Sequence, residues 1–174
     1  MQIVRTTKRC VLITVIVVLA IGAGQARGDD DRFARTASDS ITPFLVVGET
    51  GLLLTGKHEA VQGAKALIAT GLATELLKVT VRDKRPNSDS RDSFPSGHTS
   101  AAFAMATVLA DYEPQYKWPA YAVASTIGWS RVEVHSHRWD DVIAGAALGY
   151  FTARHFTAER FSASPRGISY RWQW

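Results

Sequence analysis

The sequence predicts an all-α protein, a compact bundle of about five to six helices. Three stretches carry that expectation. Between His58 and Thr80, the residues Val61, Ala64, Leu67, Ile68, Leu72, Leu76 and Val79 fall mostly three or four apart, the spacing that lines one face of a helix. From Gly97 to about Asp111 the chain is rich in alanine and apolar nearly all round, which suits a helix in the middle of a bundle, where small side chains let neighbours approach. A third strong helical stretch runs from about Trp139 to Phe156.

The N-terminal part reads differently from the body. Met1 to Arg9 carries Arg5, Lys8 and Arg9, Cys10 to Ile21 is almost purely aliphatic, and Gly24-Gln25-Ala26 supplies small residues for a cleavage site. This is the order of a secretory signal peptide over residues 1–26, and it implies a periplasmic or exported protein. An uncleaved N-terminal membrane anchor is the alternative, although the apolar run is shorter than the ~20 residues of a span. Cutting after Ala26 leaves about 150 residues of the 174, an ordinary size for one domain. The formal charge of +4 then falls to about +1, so the basic balance gives no argument for nucleic acid as a partner. Cys10, the single cysteine, lies within the signal, so the mature chain has no disulfide and depends on packing.

Residues 27–38 are polar and charged and read as a flexible lead-in to a bundle domain over 39–160. Asp39 or Ser40 can cap a first helix that reaches about Gly56, with Pro43 tolerated in its first turn. After the second helix, residues 81–95 hold Pro86, Pro95 and a cluster of Ser, Asp and charged residues, the composition of a loop. Pro119 can start a helix that reaches Ser130 or Arg131, and residues 132–138 form a polar link to the last one. In that last helix Gly145 and Gly149 stand four apart. They read either as a membrane-dimer motif or as tight packing within a bundle, and the short apolar run over 142–151 favours packing. Every mature helix falls short of the ~18 apolar residues of a span, so the body reads as soluble or membrane-surface. Residues 161–174 form an aromatic tail whose strand-like end, Ile168 to Trp174, can pack on the body or touch a lipid interface.

Three clusters carry chemistry. Lys78 is followed after six residues by Arg85-Pro86, which sets two cations at a helix end and just beyond it. Pro95-Ser96-Gly97-His98 opens a helix, where free backbone N–H groups and the helix dipole favour an anion, and Gly97 lets that anion approach the backbone. Ser130-Arg131 is followed after five residues by His137 and after three more by Asp141. In a helix a residue and its fourth successor lie on the same face, so Asp141 can accept the Nδ1–H of His137 and leave Nε2 free as a nucleophile. His135 has Trp139 at the equivalent offset and no such support. Taken singly, each cluster also reads as a helix cap or surface charge.

In this order, Lys-x6-Arg-Pro, Pro-Ser-Gly-His and Ser-Arg-x5-His-x3-Asp resemble the three signature motifs of the type 2 phosphatidic acid phosphatase and vanadium haloperoxidase superfamily, with no motif residue missing. The resemblance implies an active site between the central helices. It implies that Lys78, Arg85 and Arg131 hold phosphate oxygens, with Ser96 and the Gly97 backbone adding hydrogen bonds. It also implies that His137 attacks phosphorus, His98 protonates the leaving oxygen, and Asp141 steadies the His137 cation, with no metal and no cofactor. The expected activity is hydrolysis of phosphate monoesters, including lipid phosphates such as phosphatidate, with possible peripheral membrane contact. A vanadate-dependent haloperoxidase and a non-catalytic lipid-phosphate binding protein are the alternatives. The shortness of the chain speaks against the first, and the paired histidines against the second.

Overall fold

The computed structural model describes residues 30–55, 57–158, 160–164 and 167–171. The expected signal peptide lies outside these residues. Among the described residues six α-helices follow one another: α1 (Asp30–Asp39), α2 (Ile41–Thr55), α3 (Lys57–Val81), α4 (Gly97–Tyr112), α5 (Lys117–Glu133) and α6 (Trp139–Ala158). A single 3-10 turn over Pro114–Tyr116 joins α4 to α5. Two short antiparallel strands, β1 (Arg160–Ser164) and β2 (Gly167–Arg171), form a hairpin with Arg160 opposite Arg171 and Ser164 opposite Gly167. The body is thus the expected all-α bundle, and the strand-like tail pairs with the segment just before it.

The alanine-rich α4 lies at the centre and touches α2, α3, α5 and α6. Ala102, Ala104, Met105, Ala106 and Val108 on α4 are fully buried, joined by Leu52 from α2, Ala66 from α3, Ala124 and Ile127 from α5, and Ala153 from α6. Polar links set the register at both ends of the helix. Thr74 and Ser100 share a buried hydrogen bond of 2.9 Å between α3 and α4. At the far end Asp111 accepts from Arg154 at 2.5 Å and also from Thr157, tying the last turn of α4 to α6.

The pair Gly145 and Gly149 belongs to packing within this bundle. A Cβ on Gly145 would lie 2.6 Å from the Ser96 carbonyl oxygen and 3.3 Å from the Thr99 side chain. One on Gly149 would overlap the Ser100 carbonyl oxygen and come within 2.9 Å of the Ala104 nitrogen. The glycines therefore let α6 rest backbone to backbone against the first turns of α4, in the manner of small-residue helix contacts.

Residues 30–39 correct the expectation of a flexible lead-in over 27–38. They form α1, which packs on α5. Its buried side chains are small, Ala34, Ala37 and Ser38, and Phe33 meets Trp129 of α5 with ring centroids 5.8 Å apart. A face built from alanine and serine has no run of large apolar residues to reveal it among the flanking charges.

Two glycines give a matched test of this packing. Gly149→Ala is expected to cost about 1–3 kcal/mol of unfolding free energy by overpacking. Gly71→Ala, on α3 with open space where the Cβ would go, is expected to gain about 0.5–1 kcal/mol by removing a mid-helix glycine. Urea unfolding of both variants measures the contrast; equal effects would show that α6 is not seated on the α4 backbone.

Candidate active site

The nominated residues gather around the N-terminal end of α4. Ser96 is the N-cap with extended backbone, φ −68° and ψ 112°, but its side chain makes no capping hydrogen bond. Ser96 Oγ instead accepts from Thr99 Oγ1 at 2.9 Å, and its backbone N–H donates to the Asp141 carbonyl oxygen at 3.0 Å. The first amides of α4 thus keep their hydrogens free of any side-chain cap, as an anion site requires. A Cβ on Gly97 would meet Lys78 Nζ at 3.5 Å, so the glycine faces the cation at the end of α3.

The three cations arrive from three segments. Lys78 lies in the last turn of α3 and pairs with Glu75 Oε1 at 3.0 Å. Arg85, in the loop after α3, forks onto Asp92, with Nε to Oδ1 at 2.9 Å and Nη2 to Oδ2 at 2.8 Å. Arg131 lies in the last turn of α5, where its Nη1 donates to Ser38 Oγ from α1 while its Nε is buried with no hydrogen-bond partner. A buried guanidinium N–H left without a partner fits an anionic ligand better than it fits a structural role. Burial and the charge of Arg85 push Arg131 below its ordinary pKa.

The two histidines lie within the field of these cations. His98, the second residue of α4, is pushed down to about 4, first by burial and then by Arg131, Lys78 and Arg85. His137 is also pushed down to about 4, by burial, Arg131 and Arg85, with Asp141 partly offsetting them. A phosphate dianion among the same cations would reverse that balance and raise both values.

The placement of Asp141 corrects one step of the sequence reading. His137 does not share a helix face with Asp141, because α6 begins only at Trp139. Arg138 is the residue before the helix, and the Asp141 side chain reaches back so that its Oδ2 accepts the Arg138 backbone N–H at 2.9 Å. That is the carboxylate half of a capping box, and it is this turn that brings His137 close. His137 Nδ1 lies 3.5 Å from Asp141 Oδ2, an electrostatic contact rather than a closed hydrogen bond, and the nitrogen has no hydrogen-bond partner. The His137 and Ser136 amides both donate to the Arg131 carbonyl oxygen at 3.1 Å, which links the histidine to the arginine through the backbone. His135 is exposed and has φ 55°.

Spacing gave no hint of three neighbours of the site. Asp92 occupies the fork of Arg85, Ser38 holds Arg131, and Ser93 donates its hydroxyl to Asp141 Oδ2 at 2.6 Å. Loop residues and a serine on a polar helix leave no periodic signal.

The PAP2 superfamily model matches residues 87–163, which takes in the α4 opening, both histidines and Asp141. Over this segment the chain is similar to the PAP2 superfamily. Lys78 and Arg85 precede the matched PAP2 segment, so their part in the site rests on their position beside Gly97 and the histidines. Among similar proteins, a lipid A 1-phosphatase of Porphyromonas gingivalis is 34% identical over 93 residues, covering 50% of this chain and 21% of that protein. The probable lipid phosphate phosphatase 4 of Arabidopsis thaliana is 30% identical over 141 residues, covering 55% of this chain and 46% of that one. The chain therefore spans between about a fifth and about half the length of these curated relatives. The crystal structure of Aquifex aeolicus LpxE superposes with a TM-score of 0.58 at 25% identity, covering 68% of this chain and 84% of that one.

The depressed histidines make stability depend on pH. Between about 4 and the ordinary 6.5, the unfolded chain binds more protons than the folded one, so this contribution is complete above 6.5 and is lost as pH falls toward 4. Chemical unfolding across pH 4–7 is expected to show stability rising with pH, with a shallower rise in His98→Asn. An unchanged slope in that variant would contradict the depressed pKa.

Proposed function

We propose that this chain is a phosphatase that hydrolyses phosphate monoesters on lipids through a phosphohistidine intermediate. The single observation that carries the reading is the convergence of Lys78, Arg85 and Arg131, the last with a buried unpartnered Nε, on two histidines at an uncapped helix N-terminus. Three cations suit a phosphoryl group whose charge stays on its equatorial oxygens through the transition state.

In this reading His137 Nε2 forms a bond to phosphorus as the ester P–O bond breaks, and His98 gives its proton to the departing oxygen. Water then attacks phosphorus and breaks the P–N bond, with its proton passing to His98. Asp141 offsets the charge on His137. The dianionic substrate itself raises the His98 pKa and so supplies the protonated acid that the first step needs. Ser96, the Gly97 amide and the three cations hold the phosphate oxygens.

Lipid phosphates are the favoured substrates because the relatives named above are a lipid A 1-phosphatase and a lipid phosphate phosphatase. A surface feature supports contact with a membrane. Ile68, Leu72, Leu76 and Val79 on α3 are 64–69% exposed, and α6, which packs against α3, exposes Trp139, Ile143 and Phe151. A row of exposed apolar side chains such as that on α3 marks an interaction face. Among the described residues no helix is long and apolar enough to cross a membrane. We therefore propose peripheral attachment through the α3 face, in a protein exported by its N-terminal signal.

Two measurements test the proposal. His137→Ala is expected to abolish phosphate release from phosphatidate in detergent micelles while leaving the helical circular dichroism intact; wild-type turnover would exclude the phosphohistidine. The double variant Leu72→Glu, Leu76→Glu is expected to lower sedimentation with phospholipid vesicles and keep activity on a soluble aryl phosphate. Undiminished vesicle binding would exclude the α3 face.

A further inference from the structure

We propose that Ser93 is a positioning residue that sets the orientation of the Asp141 carboxylate toward His137; the inference rests on the phosphohistidine reading above. Asp141 is fully buried, and its Oδ2 stands at the meeting point of three groups. The Arg138 amide donates to it at 2.9 Å, the Ser93 hydroxyl donates at 2.6 Å, and His137 Nδ1 lies 3.5 Å away. Oδ1 has no hydrogen-bond partner.

The two donors do different work. The Arg138 contact is local to α6 and fixes how far the carboxylate folds back over the helix start, but it leaves rotation of the carboxyl plane open. Ser93 comes from the loop before α4, 48 residues away in sequence, and is itself fully buried. Its backbone is pinned separately, the Ser93 N–H donating to the Asp83 carbonyl oxygen at 3.0 Å. A second bond from the same loop, Ser96 N–H to the Asp141 carbonyl oxygen at 3.0 Å, fixes the backbone of the aspartate. With both its main chain and Oδ2 held by residues 93–96, Asp141 can present Oδ2 to His137 in one orientation only. Without the hydroxyl, the carboxyl plane is free to turn and the unpartnered Oδ1 competes for the Arg138 amide. A hydrogen bond to a carboxylate is also stronger than one between neutral groups.

The test separates this role from simple packing. Ser93→Ala is expected to lower kcat about 10–100-fold with KM within about twofold, the signature of a contribution felt in the transition state. In an Asp141→Asn background the same substitution is expected to change kcat by less than about twofold, because the residue it positions is already altered. An equal loss of kcat in both backgrounds overturns the proposal. A measurement without turnover gives the same decision. In nitrogen NMR of the histidine rings, Ser93→Ala is expected to shift the titration of His137 and leave that of His98 in place. If both move together, or neither moves, the hydroxyl does not act through Asp141. Because this readout needs no substrate, a protein that hydrolyses no phosphate ester refutes the proposed function while the NMR result still decides the role of Ser93.

Discussion

The close approach of α6 to the first turns of α4 is the constraint on which the site depends. With hydrogens in place of side chains at Gly145 and Gly149, the α6 backbone lies against the carbonyl oxygens of Ser96 and Ser100. At that separation the Asp141 carbonyl can take the Ser96 amide hydrogen, and the Asp141 side chain can take the Ser93 hydroxyl. A side chain at either glycine would push the helices apart and break both bonds. The loop that opens α4 is thus fixed by a neighbouring helix rather than by a cap of its own, and its remaining amides stay available to an anion.

Charge is the second organising term, and it is balanced at the edge of the site rather than in its middle. Lys78 and Arg85 are each paired with a carboxylate, Glu75 and Asp92, that lies toward solvent. Arg131 hydrogen-bonds the neutral Ser38, feels the carboxylate of Asp39 without a direct ion pair among the described residues, and keeps a buried Nε without a partner. Both histidines sense the excess, which is why burial and cations together hold them near 4. An anion that displaces Glu75 or Asp92 exchanges one carboxylate for a doubly charged group in contact with all three cations. Arg85 already shows the bidentate geometry that a phosphoryl group would take from it.

Much of this was legible in the sequence, and the parts that were not share a physical cause. The cores of α3, α4 and α6 were readable because large apolar or small residues recur at helical spacing, and the three motifs because each is local in sequence. Helix α1 was not, since its buried face is Ala34, Ala37 and Ser38 and its other faces are charged. That omission also hid the partner of Arg131, since Ser38 belongs to α1. Asp92 and Ser93 escaped because a loop residue has no period to betray what it faces. The choice between dimer motif and internal packing for Gly145 and Gly149 needed the position of α4, which spacing alone does not contain.

The geometry of His137 and Asp141 shows how a spacing can be right for a reason other than the expected one. Four residues apart on one helix face would give a contact from periodicity alone, but His137 precedes the helix and the contact comes from a cap. A carboxylate at the third position of a helix gains by reaching back to the amide before the first turn, whatever else the protein does. Here that local preference delivers Oδ2 to within 3.5 Å of the His137 ring, and the loop ahead of α4 holds it there. The same bonds that begin α6 therefore define the second wall of the site. Folding of the helix start and orientation of the proposed nucleophile are one event, so the site needs no strained backbone at Asp141 to hold its carboxylate in place.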